Sequence, residues 1–195
     1  MKFDFLSPTF IRFGNGVLET VGQEACKIGR NALLVTGKSS AKKSGSLKKV
    51  EELLKRENLE IALFDQVEQN PSVETVEAGA GVARKAGCDL IVALGGGSPL
   101  DAAKGIAVLA AQRGSLDDYF GVDKIKQALP LMAIPTTAGT GSEVTRYAII
   151  TDWKIKQKRT VASSLLCPRT AIVDPLLTVP MPKQITANTG MDALS

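Results

Sequence analysis

Residues 89–104 read DLIVALGGGSPLDAAK. An apolar run from Leu90 to Leu94 meets Gly95-Gly96-Gly97, then Ser98-Pro99, then a helical pattern. A short continuous apolar run closed by glycine is the mark of a strand buried on both faces. Glycine has the most backbone entropy to lose on ordering, so three in a row between two stable elements need a reason. In an open parallel sheet, the turn leaving a strand's C-terminal end faces the ligand crevice. There Gly95, Gly96 and Gly97 let the backbone approach an anion closely. Ser98 is expected to cap the next helix, and Pro99 stands where its missing N–H costs nothing. The free amides and the positive end of the helix dipole then favour a phosphate. A tight strand–helix turn with no ligand is the other reading, but three glycines exceed what a turn needs. The spacing is not GxGxxG, so the ordinary dinucleotide fingerprint is absent.

The same grammar repeats on either side. NALLVTG (31–37) reads as a buried strand and EIALFD (60–65) as an alternating one. Between them Leu47, Val50, Leu53 and Leu54 form one stripe of an amphipathic helix. After Asn70-Pro71, Ser72 is expected to cap a helix that buries Val73, Val76, Ala80 and Ala83. Gly79 and Gly81 weaken that helix and point to close helix packing. Residues 17–28 carry helical spacing, 98–112 read as a helix and 131–134 as a strand. The chain from Val144 and the stretch 158–173 read as extended. The opening FDFLSPTFIRFGNG is expected to form a β-hairpin. Strands alternating with helices of this length mean βαβ units: an α/β fold with a mostly parallel sheet and helices on both faces.

The chain has 195 residues, 44% hydrophobic and 23% charged, and this profile argues for a packed globular domain and against disorder. A formal net charge of +4 suits an anionic ligand but falls short of a nucleic-acid-binding face. Cys26, Cys88 and Cys167 are widely spaced, so neither a disulfide framework nor a cysteine zinc site is expected. Asp4 and Pro8 interrupt any signal-peptide core, and no run reaches the ~20 apolar residues of a membrane span. The expected location is cytoplasmic. No histidine occurs, which excludes Ser-His-Asp and Cys-His chemistry and imidazole-ligated metal within these residues.

A second glycine-rich loop, IPTTAGTGSEVT (134–145), follows the 131–134 strand. Its hydroxyls at Thr136, Thr137, Thr140 and Ser142 suit a nucleotide's phosphates and ribose, though a plain polar loop has the same composition. Two such loops on one parallel sheet strengthen the nucleotide reading. GGGSPLDAAK, AIPTTAGTGSEVT, AIVDPLLT and TANTGMDALS, in that order, resemble the iron-containing (group III) alcohol dehydrogenases. The resemblance covers essentially the whole chain. It implies a Rossmann-like, dehydroquinate-synthase-like N-terminal domain, a C-terminal all-helical domain, and metal-assisted hydride transfer between a nicotinamide dinucleotide and a primary alcohol, diol or aldehyde. Glycerol dehydrogenase and dehydroquinate-synthase relatives share the architecture, but PTTAGTGSEVT and DALS favour the alcohol dehydrogenases.

Residue by residue, the resemblance implies that Gly96, Gly97 and Ser98 hold the pyrophosphate and that Asp101 faces the cofactor. Thr136, Thr137 and Thr140 match nucleotide contacts, and Lys158 a lysine reaching the ribose. Leu177 matches a contact on the adenosine side, and Asn70 a cofactor-proximal position. Without the resemblance, Lys158 reads as a solvated lysine and Leu177 as a core leucine. NAD-using relatives carry an aspartate after the first strand, where this chain has Gly37. Glycine leaves room for a 2′-phosphate, and Lys38, Ser39, Ser40 and Lys42 offer donors worth roughly 1.5–3 kcal/mol each. NADP(H) is therefore expected over NAD(H).

Asp192 matches the aspartate that, with three histidines, holds a divalent ion (Fe or Zn) in relatives; one carboxylate cannot hold it alone. The expectation is a truncated protein, with residues 1–181 as the NADP-binding domain and 182–195 as the start of a metal-binding helical one. This chain alone is expected to be inactive. The competing expectation is a non-catalytic nucleotide-binding module. The partners expected are the dinucleotide and a small alcohol or aldehyde, with neither nucleic acid nor membrane. The N-terminal hairpin offers an edge for homo-oligomer pairing.

Overall fold

The computed structural model describes residues 2–3 and 7–195. Chain order is β1 (Phe10–Phe13), a 3₁₀ turn (Val17–Thr20), α1 (Val21–Cys26), β2 (Asn31–Gly37), α2 (Ser40–Lys43), α3 (Ser46–Arg56), β3 (Glu60–Val67), α4 (Val73–Lys85), β4 (Leu90–Gly95) and α5 (Gly97–Ala111). There follow β5 (Gly121–Val122), β6 (Leu131–Pro135), β7 (Tyr147–Asp152), β8 (Gln157–Ala162), β9 (Thr170–Val173) and α6 (Lys183–Leu194). Six strands make one parallel sheet in the order β1-β9-β6-β4-β2-β3. A second sheet, β5-β8-β7, contains the antiparallel pair β7–β8.

The buried strands sort their side chains by alternation. Leu33, Val35, Ile91, Ala93, Leu131 and Ala133 enter one core with α4 and α5. Ala32, Leu34, Leu90, Val92, Met132 and Ile134 enter the other with α1 and α3. A period of two on a sheet covered on both faces requires this division. Ser72 caps α4 as expected, its hydroxyl accepting from the Thr75 N–H at 3.2 Å.

The two glycines of α4 differ. A Cβ on Gly79 would lie 2.4 Å from Ile106 Cδ1 on α5, whereas one on Gly81 would meet nothing within 4 Å. Only Gly79 marks a close helix crossing.

The hairpin expectation needs correction. Its first arm includes Asp4–Leu6, outside the described residues. Its second arm, β1, pairs in parallel with β9 (Phe10 beside Thr170, Phe13 beside Val173) and lies at the sheet edge. The helix expected over 17–28 divides into the 3₁₀ turn and α1. The extended stretch 158–173 holds parts of two strands in different sheets, β8 and β9. No described helix is long and apolar enough to cross a membrane.

From β2 the chain steps outward to β3, then returns to the other side of β2 to place β4. The order of winding reverses between β2 and β4. In open α/β sheets that reversal splits the connections to opposite faces and leaves a crevice at the strands' C-terminal ends.

Candidate functional site: two clefts divided by a glycine loop

Three loops leave the sheet's C-terminal edge side by side because the strands before them are neighbours. Thr36 of β2 lies beside Leu94 of β4, and Gly95 of β4 beside Pro135 of β6. The loop after β4 is pressed between its own helix and the loop after β6. A Cβ on Gly95 would come 2.7 Å from Pro99 Cγ, one on Gly96 3.1 Å from Thr137 Oγ1, and one on Gly97 2.9 Å from Thr140 Cγ2. The glycines thus let two loops touch, and they also leave the helix end bare. N-cap Gly96 is extended (φ −78°, ψ −166°), and no side chain caps α5. The first amides of a helix have no intrahelical partner, so those of Gly97 and Ser98 are offered to a ligand.

Ser98 does not cap the helix, contrary to the sequence expectation. Its hydroxyl accepts instead from the Asn70 N–H at 3.2 Å. Asn70 sits at φ 55° in the loop after β3, the left-handed region that asparagine tolerates. Glu68 braces that loop, accepting from the Ser72 N–H at 2.8 Å and the Thr75 hydroxyl at 2.7 Å. Burial pushes the Glu68 carboxyl up, but the Thr75 and Ser72 bonds outweigh it and hold the group below its ordinary 4.5. A depressed carboxylate contributes stability fully above the unfolded value and loses it as pH falls through the folded one. We therefore expect the melting temperature to drop between pH 5 and 3, with a shallower drop in Glu68→Gln; equal slopes by calorimetry would refute the brace.

A cleft lies on each side of the glycine loop. The first, about 590 Å³, is lined by Asn70, Gly97, Ser98, Asp101, Thr140, Lys158 and Asp192. The second, about 500 Å³, is lined by Ser39, Ser40, Gly96, Thr136, Thr137 and Leu177. The structure thus gathers most of the sequence-picked residues along one groove. Gly37 and Gly95 end their strands just behind it.

Two lysines depart from expectation. Lys38 is exposed and outside both clefts, and Lys42 turns away to pair with Asp65 at the end of β3. Lys43, one position on, lines the second cleft with Ser44 and Ser46. That cleft contains no carboxylate, whereas Asp101 and Asp192 stand in the first.

A model of the iron-containing alcohol dehydrogenases matches residues 8–175. The chain belongs to the iron-containing alcohol dehydrogenase family. It is 43% identical over 197 aligned residues to the 1,3-propanediol dehydrogenase of Klebsiella pneumoniae, covering 99% of this chain and 51% of that one. A crystal structure of 1,3-propanediol oxidoreductase superposes with a TM-score of 0.95 at 40% identity, over 100% of this chain and 51% of that one. Two further relatives differ in coenzyme. The NADPH-dependent butanol dehydrogenase of Clostridium saccharobutylicum is 40% identical, over 98% of this chain and 50% of its own length. The NAD-dependent methanol dehydrogenase of Bacillus methanolicus is 38% identical, over 98% of this chain and 51% of its own length. The chain spans about half the length of the relatives it matches.

The iron of this alcohol dehydrogenase family finds no complete ligand set here. Among the described residues no three His, Cys, Asp or Glu side chains cluster to hold a metal. Asp192 is an exposed carboxylate on α6, and its Oδ2 would lie 2.9 Å from a Cβ on Gly139. A single carboxylate is too few donors for catalytic iron or zinc.

Residues that local sequence did not single out complete the alcohol dehydrogenase groove. Tyr147, Ile149 and Thr151 of β7 line the first cleft, while Ala148 and Ile150 between them are fully buried. Their alternation was the available signal. Lys104 is the larger omission. It lies one turn after Asp101 with no exposed surface, and only the tertiary structure reveals its partners.

Proposed function

We propose that this chain is the coenzyme-binding unit of an oxidoreductase that moves hydride between NADP(H) and a primary alcohol, diol or aldehyde. The observation that carries the reading is the uncapped glycine end of α5, set as a saddle between the two clefts. On this reading the diphosphate crosses the saddle, held by the amides of Gly97 and Ser98 with the hydroxyls of Thr136, Thr137 and Thr140. The adenosine lies in the second cleft against Leu177. The nicotinamide lies in the first, beside Asp101, with Asn70 and Lys158 toward its ribose. The coenzyme supplies the hydride chemistry; these residues bind it, orient it and shield it from water.

The preference for NADP(H) rests on the second cleft. A 2′-phosphate there meets Ser39, Ser40 and Lys43 and no carboxylate. Gly37 also leaves space, since a Cβ there would have no neighbour closer than 3.6 Å. The division into residues 1–181 as coenzyme domain and 182–195 as the start of a helical one is supported by α6, which buries none of its residues. The three unpaired cysteines suit a cytoplasmic setting.

Fluorescence titration with NADPH and NADH tests the reading. We expect NADPH to bind at least ~10-fold more tightly, the worth of one charged hydrogen bond. Lys43→Ala should remove most of that margin and Lys42→Ala little of it. Equal affinities in the parent chain would overturn the NADP(H) preference. No binding of either coenzyme would overturn the whole reading.

A further inference from the structure

Lys104 is the one fully buried lysine among the described residues, and every proton on its ammonium is committed. Nζ donates to Ser142 Oγ at 2.9 Å, Thr145 Oγ1 at 3.2 Å and the Tyr147 carbonyl at 2.7 Å. Ser142 passes the arrangement on, its hydroxyl donating to Asp101 Oδ1 at 2.6 Å. The other carboxylate oxygen of Asp101 accepts from the Ile149 N–H at 3.1 Å. A hydroxyl has one proton to give. Because a charged Lys104 takes one of its lone pairs, Ser142 must point its proton at Asp101.

We propose that Lys104 is a positioning residue for the first cleft: acting through Ser142, its ammonium aims the Asp101 carboxylate at the coenzyme's nicotinamide end. The proposal rests on the dinucleotide reading above for the ligand, but the coupling itself is a property of the free chain. Asp101 lines the first cleft, with both oxygens oriented by protein donors, so it presents a fixed acceptor to a ligand N–H or O–H. The same three bonds of Lys104 tie α5 to the 142–147 segment and to β7, whose Tyr147 and Ile149 form the far wall.

The ammonium is a conditional orienter. Burial lowers Lys104 to about 8, against the opposing pull of Asp101 on its own helix, Cys167 from the β8–β9 connection and Glu143 from the loop. Burial pushes the Cys167 thiol up, against the pull of Lys104 and Arg146. Burial also pushes the Asp101 carboxyl up, against Ser142, Lys104 and the Ile149 amide. Once Lys104 loses its proton its lone pair accepts from Ser142, and Asp101 loses that bond.

The test uses the whole chain with Ser142→Ala, Lys104→Met and Lys104→Arg, each checked for fold by circular dichroism. The Asp101 carboxyl carbon resonance, followed without coenzyme from pH 6 to 10, should show a second inflection near Lys104's value of about 8. Lys104→Met should abolish it and Ser142→Ala should shrink it. NADPH affinity should fall about ten-fold between pH 7 and 9, the loss of one charged hydrogen bond. Ser142→Ala should start weak and vary little with pH, and Lys104→Arg should hold its pH 7 affinity at pH 9. If Lys104→Met does not fold, Ser142→Ala carries the comparison, since it deletes only one oxygen.

A purely structural lysine, with Nζ 3.9 Å from Asp101 Oδ1, would act on that resonance by charge alone, leaving the inflection full-sized in Ser142→Ala and NADPH affinity level with pH. An Asp101 resonance flat above pH 7, or unchanged NADPH affinity and pH profile in Ser142→Ala, would overturn the proposal. An intact inflection in a chain that binds neither coenzyme would support the coupling and sink the dinucleotide reading instead.

Discussion

Gly97→Val is expected to weaken NADPH binding by at least ~100-fold, about 2.7 kcal/mol, while barely moving the melting temperature of the free chain. The position is crowded by Thr140 of the loop after β6. The first added carbon would already lie 2.9 Å from Thr140 Cγ2 and 3.3 Å from Thr140 Cβ, and valine adds two more. The loop after β6 must then move off the saddle, or the side chain must turn into the first cleft where a phosphate needs the space. Either outcome displaces the amides of Gly97 and Ser98 from the anion. The free fold should tolerate this, because Gly97 and Thr140 are only partly buried or exposed and neither contributes to the apolar cores. Gly81→Ala is the control, since a Cβ there meets open space. It should leave NADPH binding unchanged and add roughly 0.5–1 kcal/mol through helix propensity. Unaltered NADPH affinity in Gly97→Val would mean that the glycine end of α5 does not carry the diphosphate.

The largest loss of stability should come from Ile106→Ala. Ile106 is fully buried on α5, where its Cδ1 occupies the hollow above Gly79. Truncating such a side chain removes transfer energy and leaves a cavity, at about 2–5 kcal/mol. For a domain of this size that lowers the melting temperature by roughly 5–15 °C. Gly79→Ala should cost about 1–3 kcal/mol, because overpacking against Ile106 and Phe64 exceeds what alanine gains in a helix. Combined, the two should be less damaging than their sum by on the order of 1 kcal/mol, since the new methyl fills part of the new void. Additive losses in calorimetry would show that α4 and α5 do not cross at this pair.

Stability in alkali adds a check on the buried ammonium. Lys104 is depressed to about 8 from its ordinary 10.5, so between those values the unfolded chain binds more protons than the folded one. Its own contribution to stability therefore rises with pH across that window, while coenzyme affinity is expected to fall. The opposite signs separate what Lys104 does for the fold from what it does for the cleft.

The alternation of strands and helices, the covering of the sheet on both faces, the Ser72 cap and the glycine turn from β4 into α5 were all legible locally. Each follows from a short-range rule: a period of two or of 3.6, a capping preference, or the steric freedom of glycine. The family motifs were legible for the same reason, being contiguous words. Side-chain partners were not. Ser98 reads as a cap from local sequence, yet it stands at the second position of α5 and its hydroxyl meets Asn70, 28 positions away. Lys42 and Lys43 are adjacent in an unremarkable basic run, and only the tertiary placement of α2 sends one to Asp65 and the other to the cleft.

What the sequence by itself determined was the class of fold, the place of the glycine turn between β4 and α5 and the family, because those reside in spacings along the chain. The tertiary structure alone decided that β1 pairs with β9 at the far edge, that Gly96 and Gly97 are small to admit Thr137 and Thr140, and that Lys104 reaches Asp101 through Ser142. Those contacts join residues tens to more than a hundred positions apart. They are selected by how the two cores close around the sheet, and no local pattern encodes that closure.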